Sequence, residues 1–116
     1  MTWHRVIGQI PSKSNLYRIS GGRMYKAEEV TKYELAFAAQ TRHLRDAMIG
    51  DFEVELRAYF PDKRQDLDGC FKVFFDCLQK IGAIQNDRKC QAIQAWRHVD
   101  KQNPRIEFKL YERHDD

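Results

Sequence analysis

The chain has 116 residues, of which 42% are hydrophobic and 32% charged. That is one domain of ordinary globular composition, and it lacks the roughly 18-residue apolar run a membrane span needs. Twenty Lys and Arg against 17 Asp and Glu leave a formal charge of +3, compatible with a nucleic-acid partner without demanding one.

No secretory signal is recognisable, so export is not expected and a cytoplasmic location is. The three cysteines, Cys70, Cys77 and Cys90, have no CxxC or Cys/His ligand spacing. Cys70 and Cys77 fall on one expected helix, with alpha carbons about 10 Å apart at about 1.5 Å rise per residue, too far for a disulfide. Buried free thiols in a reducing compartment are the simple reading.

Trp3 to Ile10 alternates loosely and reads as a strand that Pro11 ends. Residues 11–23, with Ser, Asn and the Gly21-Gly22 pair, read as a loop. Its Lys13, Asn15, Tyr17 and Arg18 are candidate DNA contacts, since cations meet phosphates and Tyr17 can stack on a base. Lys26 to Met48 reads as a first helix, with Val30, Tyr33, Phe37, Leu44 and Met48 at three- and four-residue steps and Gly50 as the stop.

Asp51 to Phe60 alternates strictly and predicts a strand with one buried and one wet face. Asp66 to Ile81 predicts a second helix, whose stripe of Leu67, Phe71, Phe74, Phe75, Leu78 and Ile81 makes it largely buried, with Gly82 as its cap. Ala83 to Lys89 is a turn. Gln91 to His98 and Arg105 to Tyr111 read as strands joined in a hairpin through Lys101 to Pro104. The expected architecture is a single α+β domain, a mixed four-stranded sheet with two helices on one face in the order βαβαββ.

The chemistry concentrates between Asp62 and Asp87. Asp66 and Asp68 stand where the second helix begins, Lys72 lies one turn on, and Asp87 follows the Gly82 stop. Aspartates at a helix start also cap free amides and suit the helix dipole, and Lys72 has simple partners in Asp68 and Asp76. The alternative is a phosphodiesterase site. Magnesium takes hard oxygen ligands and keeps waters, and Leu67 can face the core while the acids beside it face outward. A lysine beside them would neutralise charge developing on a phosphodiester.

Asp62-Lys63-Arg64-Gln65-Asp66-Leu67-Asp68, then Lys72, Asp76-Cys77-Leu78, Gly82 and Asn86-Asp87, resembles the signature of the RusA family of Holliday junction resolvases. Pro11-Ser12-Lys13-Ser14-Asn15 is similar to that family's N-terminal loop. The resemblance implies a RusA-like homodimer that binds four-way DNA junctions and cuts two opposing strands symmetrically, with Mg²⁺ or Mn²⁺, in recombination and repair. The family's metal-binding aspartates fall on Asp66, Asp68 and Asp87, and its active-site lysine on Lys72. Gly69 departs from the Asn common at that place. Lys63, Arg64, Arg88 and Lys89 flank the acids and are candidate phosphate contacts, which position DNA without reading its sequence.

A junction has two equivalent scissile phosphates, and a two-fold dimer offers two equivalent sites. The rival readings are a catalytically inactive junction-binding protein of the same fold and a plain interaction protein whose acids only cap a helix. A nucleotide-cofactor enzyme is disfavoured, because no glycine-rich phosphate loop is present.

Overall fold

The computed structural model describes residues 2–12 and 17–113. Lys13 and Asn15 lie outside them. The elements run β1 (His4–Ile7), β2 (Tyr17–Ser20), β3 (Arg23–Lys26), α1 (Glu28–Gln40), β4 (Phe52–Phe60), α2 (Phe71–Lys80), β5 (Cys90–Val99) and β6 (Arg105–Glu112). The sheet order is β1-β6-β4-β5, and β2 and β3 form a separate two-stranded ribbon. This is the mixed α+β sheet expected, with the ribbon added.

The β4 alternation is read out literally. Phe52, Val54, Leu56, Ala58 and Phe60 are buried, while Glu53, Glu55, Arg57 and Tyr59 are half-buried on the other face. Ile106, Phe108 and Leu110 of β6 join the buried face. Phe108 stacks on Phe37 of α1 at 6.0 Å and meets Phe74 of α2 edge-on at 5.1 Å, so one aromatic cluster ties both helices to the sheet.

The expected terminal hairpin is not formed. β6 pairs antiparallel with β4 and β1, and β5 pairs in parallel with the far side of β4. The chain therefore passes over the end of β4 between β5 and β6. Nothing local in residues 100–104 distinguishes that crossing from a hairpin; the buried face of β4, which needs a neighbour on both sides, decides it.

The first helix is shorter than its periodicity suggests. It ends at Gln40, where buried Thr41 donates its hydroxyl to the Phe37 carbonyl at 2.7 Å. A 3-10 turn follows over Arg42–Leu44. Asp46 and Met48 then take left-handed φ values of 59° and 50°. That backbone zips onto the end of α2: the amides of Asp46, Met48 and Ile49 donate to the carbonyls of Ile81, Gly82 and Ala83 at 3.1, 2.8 and 2.9 Å. Tertiary hydrogen bonds outweigh the modest helix propensity here. Gly82, with φ of 76°, caps α2 as expected, and the Asp46 backbone lies 3.4 Å from where a β-carbon would stand.

The ribbon lies within the segment expected to be a loop. Gly21 and Gly22, at φ 58° and 76°, make its two-residue turn. It is tied to the body by Arg18 pairing with Glu29 at 2.8 Å and by Lys26 pairing with buried Glu34 at 3.0 Å. Lys80 of α2 also reaches Glu34, at 3.3 Å, so one carboxylate joins three elements. Cys70 and Cys77 are buried free thiols, and burial pushes both up to about 12. Cys90 is half-buried.

Candidate active site

The β4–α2–β5 unit sets the geometry. β4 leaves the sheet at Phe60, the chain loops back through residues 61–67, and α2 returns against β4 before β5 runs parallel to it. The N-terminal end of α2 thus lies over the C-terminal half of β5, and its C-terminal end over the start of β5.

Asp66 and Asp68 are exposed at the N-terminal end. They line one open groove of about 630 Å³, with Leu67 and Phe71 on one wall and Ile93, Ala95 and Arg97 of β5 on the other. Asp68 opens a 3-10 turn, Asp68–Cys70, that leads straight into α2, and the cap positions of the turn and the helix fall on Leu67 and Cys70 rather than on either acid.

Gly69 is buried, and a β-carbon there would stand 2.9 Å from the Ser12 hydroxyl oxygen. The Ser12 β-carbon would be 3.7 Å away, an ordinary contact, so a side chain at position 69 would have to move the Ser12 hydroxyl. Arg97 was missed from sequence, although its register with Ile93 and Ala95 on one strand face was a usable signal. Its guanidinium donates to the Gln65 carbonyl at 3.4 Å, which brings it beside the two acids.

Lys72 is one turn along, but its amine binds Asp76 at 3.2 Å rather than entering the groove. Both partners are substantially exposed, and such pairs are worth about 0–1 kcal/mol, so the amine is cheaply released. Arg64 is folded onto Asp62 at 2.7 Å, and the Arg64 side chain and amide together hold the Asp62 carboxyl below its ordinary range. Lys63 is exposed in the same loop. Tyr17 and Arg18 stand on the ribbon, away from the groove lining.

Asp87 sits elsewhere. It begins a 3-10 turn, Asp87–Lys89, capped by the Asn86 side chain accepting from the Arg88 amide at 2.9 Å. Its own amide donates to the Gln79 side chain at 3.1 Å, which ties it to the last turn of α2. Gln79 is eleven residues beyond Asp68, about 16 Å along a helix at about 1.5 Å per residue. The strand agrees: Asp87 precedes Cys90, while the groove is reached at Ile93 to Arg97, about 10–23 Å further at about 3.3 Å per residue.

Among the described residues, no three carboxylate, imidazole or thiol side chains gather closely enough to hold one metal ion. The convergence expected of Asp66, Asp68 and Asp87 is therefore absent within a single chain. Asp66 and Asp68 supply hard oxygens suited to Mg²⁺, which is commonly held by one or two carboxylates with waters and substrate phosphate. The third does not reach them.

A second concavity of about 380 Å³ lies between α1 and α2 and is lined by Arg42, Arg45 and Lys80 but by none of these aspartates. The sheet face away from the helices carries Arg5, Arg57 and Arg105 around the buried Glu107 carboxylate, within 3.1–4.0 Å. No helix among the described residues is long and apolar enough to cross a membrane.

A small α+β sheet with two carboxylates and the Arg97 guanidinium in one open groove suits an enzyme acting on a polyanion. The chain belongs to the RusA endodeoxyribonuclease family, whose sequence pattern it matches over residues 8–111. It is similar to the crossover junction endodeoxyribonuclease RusA of Aquifex aeolicus (strain VF5), with 24% identity over 104 residues, covering 87% of this chain and 82% of that protein.

Proposed function

We propose that this protein is a magnesium-dependent, structure-selective endodeoxyribonuclease that resolves four-way DNA junctions by paired, symmetric incision as a homodimer. The observation that carries the reading is the family match over nearly the whole chain, coinciding with Asp66 and Asp68 side by side in the groove beneath Arg97.

In this reading Asp66 and Asp68 hold Mg²⁺, with Mn²⁺ as a substitute. Bound there, the ion would lower the pKa of a water and offset phosphodiester charge. Leu67 and Phe71 keep the carboxylates on a rigid apolar base. Arg97 faces the phosphate, and Lys72, once released from Asp76, neutralises charge developing on it. Lys63, Arg64, Arg88 and Lys89, with Tyr17 and Arg18 on the ribbon, hold the DNA backbone. Arg64 must exchange Asp62 for phosphate, so it contributes less than a free cation. Contacts of this kind weaken steeply as salt rises.

The test is a labelled synthetic four-way junction incubated with protein and Mg²⁺, with linear duplex as the control. Symmetric nicks in the junction alone, lost in Asp68→Asn, are expected. Tight junction binding without cutting in any divalent metal would sink the proposal.

A further inference from the structure

We infer that the concavity between α1 and α2 is a docking site for an acidic peptide segment that carries an apolar side chain, supplied by a partner protein. The inference stands apart from the nuclease reading and uses none of the groove residues. Three observations carry it.

The first is the chemistry of the lining. Arg42 opens the 3-10 turn after α1, Arg45 ends it, and Lys80 is the last residue of α2; all three stand around the opening. Leu35, Ala38, Ala39 and Ile81 supply apolar surface beside them. Glu34 is the one acid in the lining, and Lys26 and Lys80 already pair with it at 3.0 and 3.3 Å. Among the described residues, neither the Arg42 nor the Arg45 guanidinium has a hydrogen-bond or ion-pair partner. Each can take a carboxylate through two parallel N–H groups.

The second is what the apolar part selects. Leu35 is 70% exposed, so this surface is uncovered in the free chain. A nucleic-acid backbone laid across the arginines would leave Leu35, Ala38, Ala39 and Ile81 facing water. The cavity is about 380 Å³, at the small end of the roughly 300–1,000 Å³ usual for ligand sites. That suits one apolar side chain and the short segment that bears it. Acids on the segment meet the arginines while its apolar side chain enters between the helices.

The third is place. The groove holding Asp66 and Asp68 shares no residue with this concavity. Lys80 is twelve residues beyond Asp68, about 18 Å at about 1.5 Å per residue. The carbonyls of Ile81, Gly82 and Ala83, which at a helix end disfavour an anion, are already taken by the amides of Asp46, Met48 and Ile49. Those same bonds fasten the segment after Arg45 to the end of α2, so the two walls are fixed to each other. A docked partner therefore leaves the Asp66 and Asp68 groove open.

The test is fluorescence anisotropy of a labelled peptide of aspartates followed by Leu-Phe, titrated with the full chain at about 0.15 M ionic strength. Saturable binding is expected. It should weaken by about tenfold or more when asparagine replaces the aspartates or Ser-Ser replaces Leu-Phe. Arg42→Glu, Arg45→Glu and Leu35→Asp, all at exposed positions and checked for folding by melting, should each weaken it by a similar factor. Lys101→Glu makes an equal charge change on the turn beyond the far end of β4 and should leave binding unchanged.

No saturable binding at protein concentrations up to about 0.1 mM overturns the inference. Equal losses in Lys101→Glu and Arg42→Glu, or no loss with Ser-Ser in place of Leu-Phe, reduce the effect to unspecific charge attraction and overturn it as well. Full displacement of the peptide by unlabelled four-way junction assigns the surface to nucleic acid and overturns it too.

Discussion

The Asp87 amide and the Gln79 side chain are joined by a 3.1 Å hydrogen bond, which pins Asp87 to the C-terminal end of α2 while Asp66 and Asp68 stand at the other. The bond is exposed, so it contributes position more than stability. Gln79→Ala should lower thermal stability by no more than about 0.5–1.5 kcal/mol. Junction cutting should fall by about tenfold or more, since small misplacements of a reacting group are costly. Parallel melting and nicking measurements check this; equal, small effects on both would show that Asp87 needs no such anchor.

Gly69 predicts a packing penalty. A side chain there must displace the Ser12 hydroxyl, 2.9 Å from the β-carbon position. Gly69→Ala restricts the unfolded chain, a gain of about 0.4–1 kcal/mol that offsets part of the crowding. Gly69→Asn has a larger group to place and should destabilise by about 1–3 kcal/mol, the usual range for overpacking. Urea denaturation of the two variants should rank Asn below Ala, and the reverse order would contradict the contact.

Glu34 joins β3, α1 and α2 through Lys26 at 3.0 Å and Lys80 at 3.3 Å, with its own side chain buried. The Glu34 hydrogen bond raises the Lys26 amine above its ordinary value, against opposing desolvation. Glu34→Ala should cost about 1.5–3 kcal/mol, the range for hydrogen bonds to charged groups. Denaturant unfolding measures it, and the partial exposure of both lysines sets the lower end as the expected result.

His4 supplies a pH dependence. Its ring lies 2.8 Å from that of His43, and burial first, then His43, lowers its pKa from 6.5. Above pH 6.5 both folded and unfolded states hold it neutral, and its contribution is fully present. As pH falls below 6.5 the unfolded chain takes up a proton that the folded chain resists, so stability is lost down through the folded pKa. Melting temperature should decline from pH 7 toward pH 5, and His4→Gln should flatten that part of the curve. A decline unchanged in His4→Gln would assign it to other groups.

Much of this was legible from local pattern. The alternation from Phe52 to Phe60 and the apolar stripe of α2 each needed only a period and a stop signal. The β2–β3 ribbon carried a signal as well: Gly21-Gly22 between short alternating segments fits a two-residue turn with positive φ at both positions. Three features depended on distant partners. Where β6 would lie was set by β4, the end of α1 by hydrogen bonds to Ile81, Gly82 and Ala83, and the place of Asp87 by Gln79. Spacing along the chain ranks Asp66 and Asp68 as neighbours, but it cannot say toward which end of a helix the residue after the next turn will fold.

The Gln40 side chain accepts from the Ile7 amide at 2.8 Å and donates to the Ile7 carbonyl at 3.1 Å, occupying the end of β1, and this bears on solubility. A sheet with two receptive borders can recruit copy after copy into a fibre. Here one border is plugged by a side chain imitating a peptide group, so growth through the sheet has only one direction available. Gln40→Ala would unplug it, and the expected result is concentration-dependent aggregation detectable by light scattering.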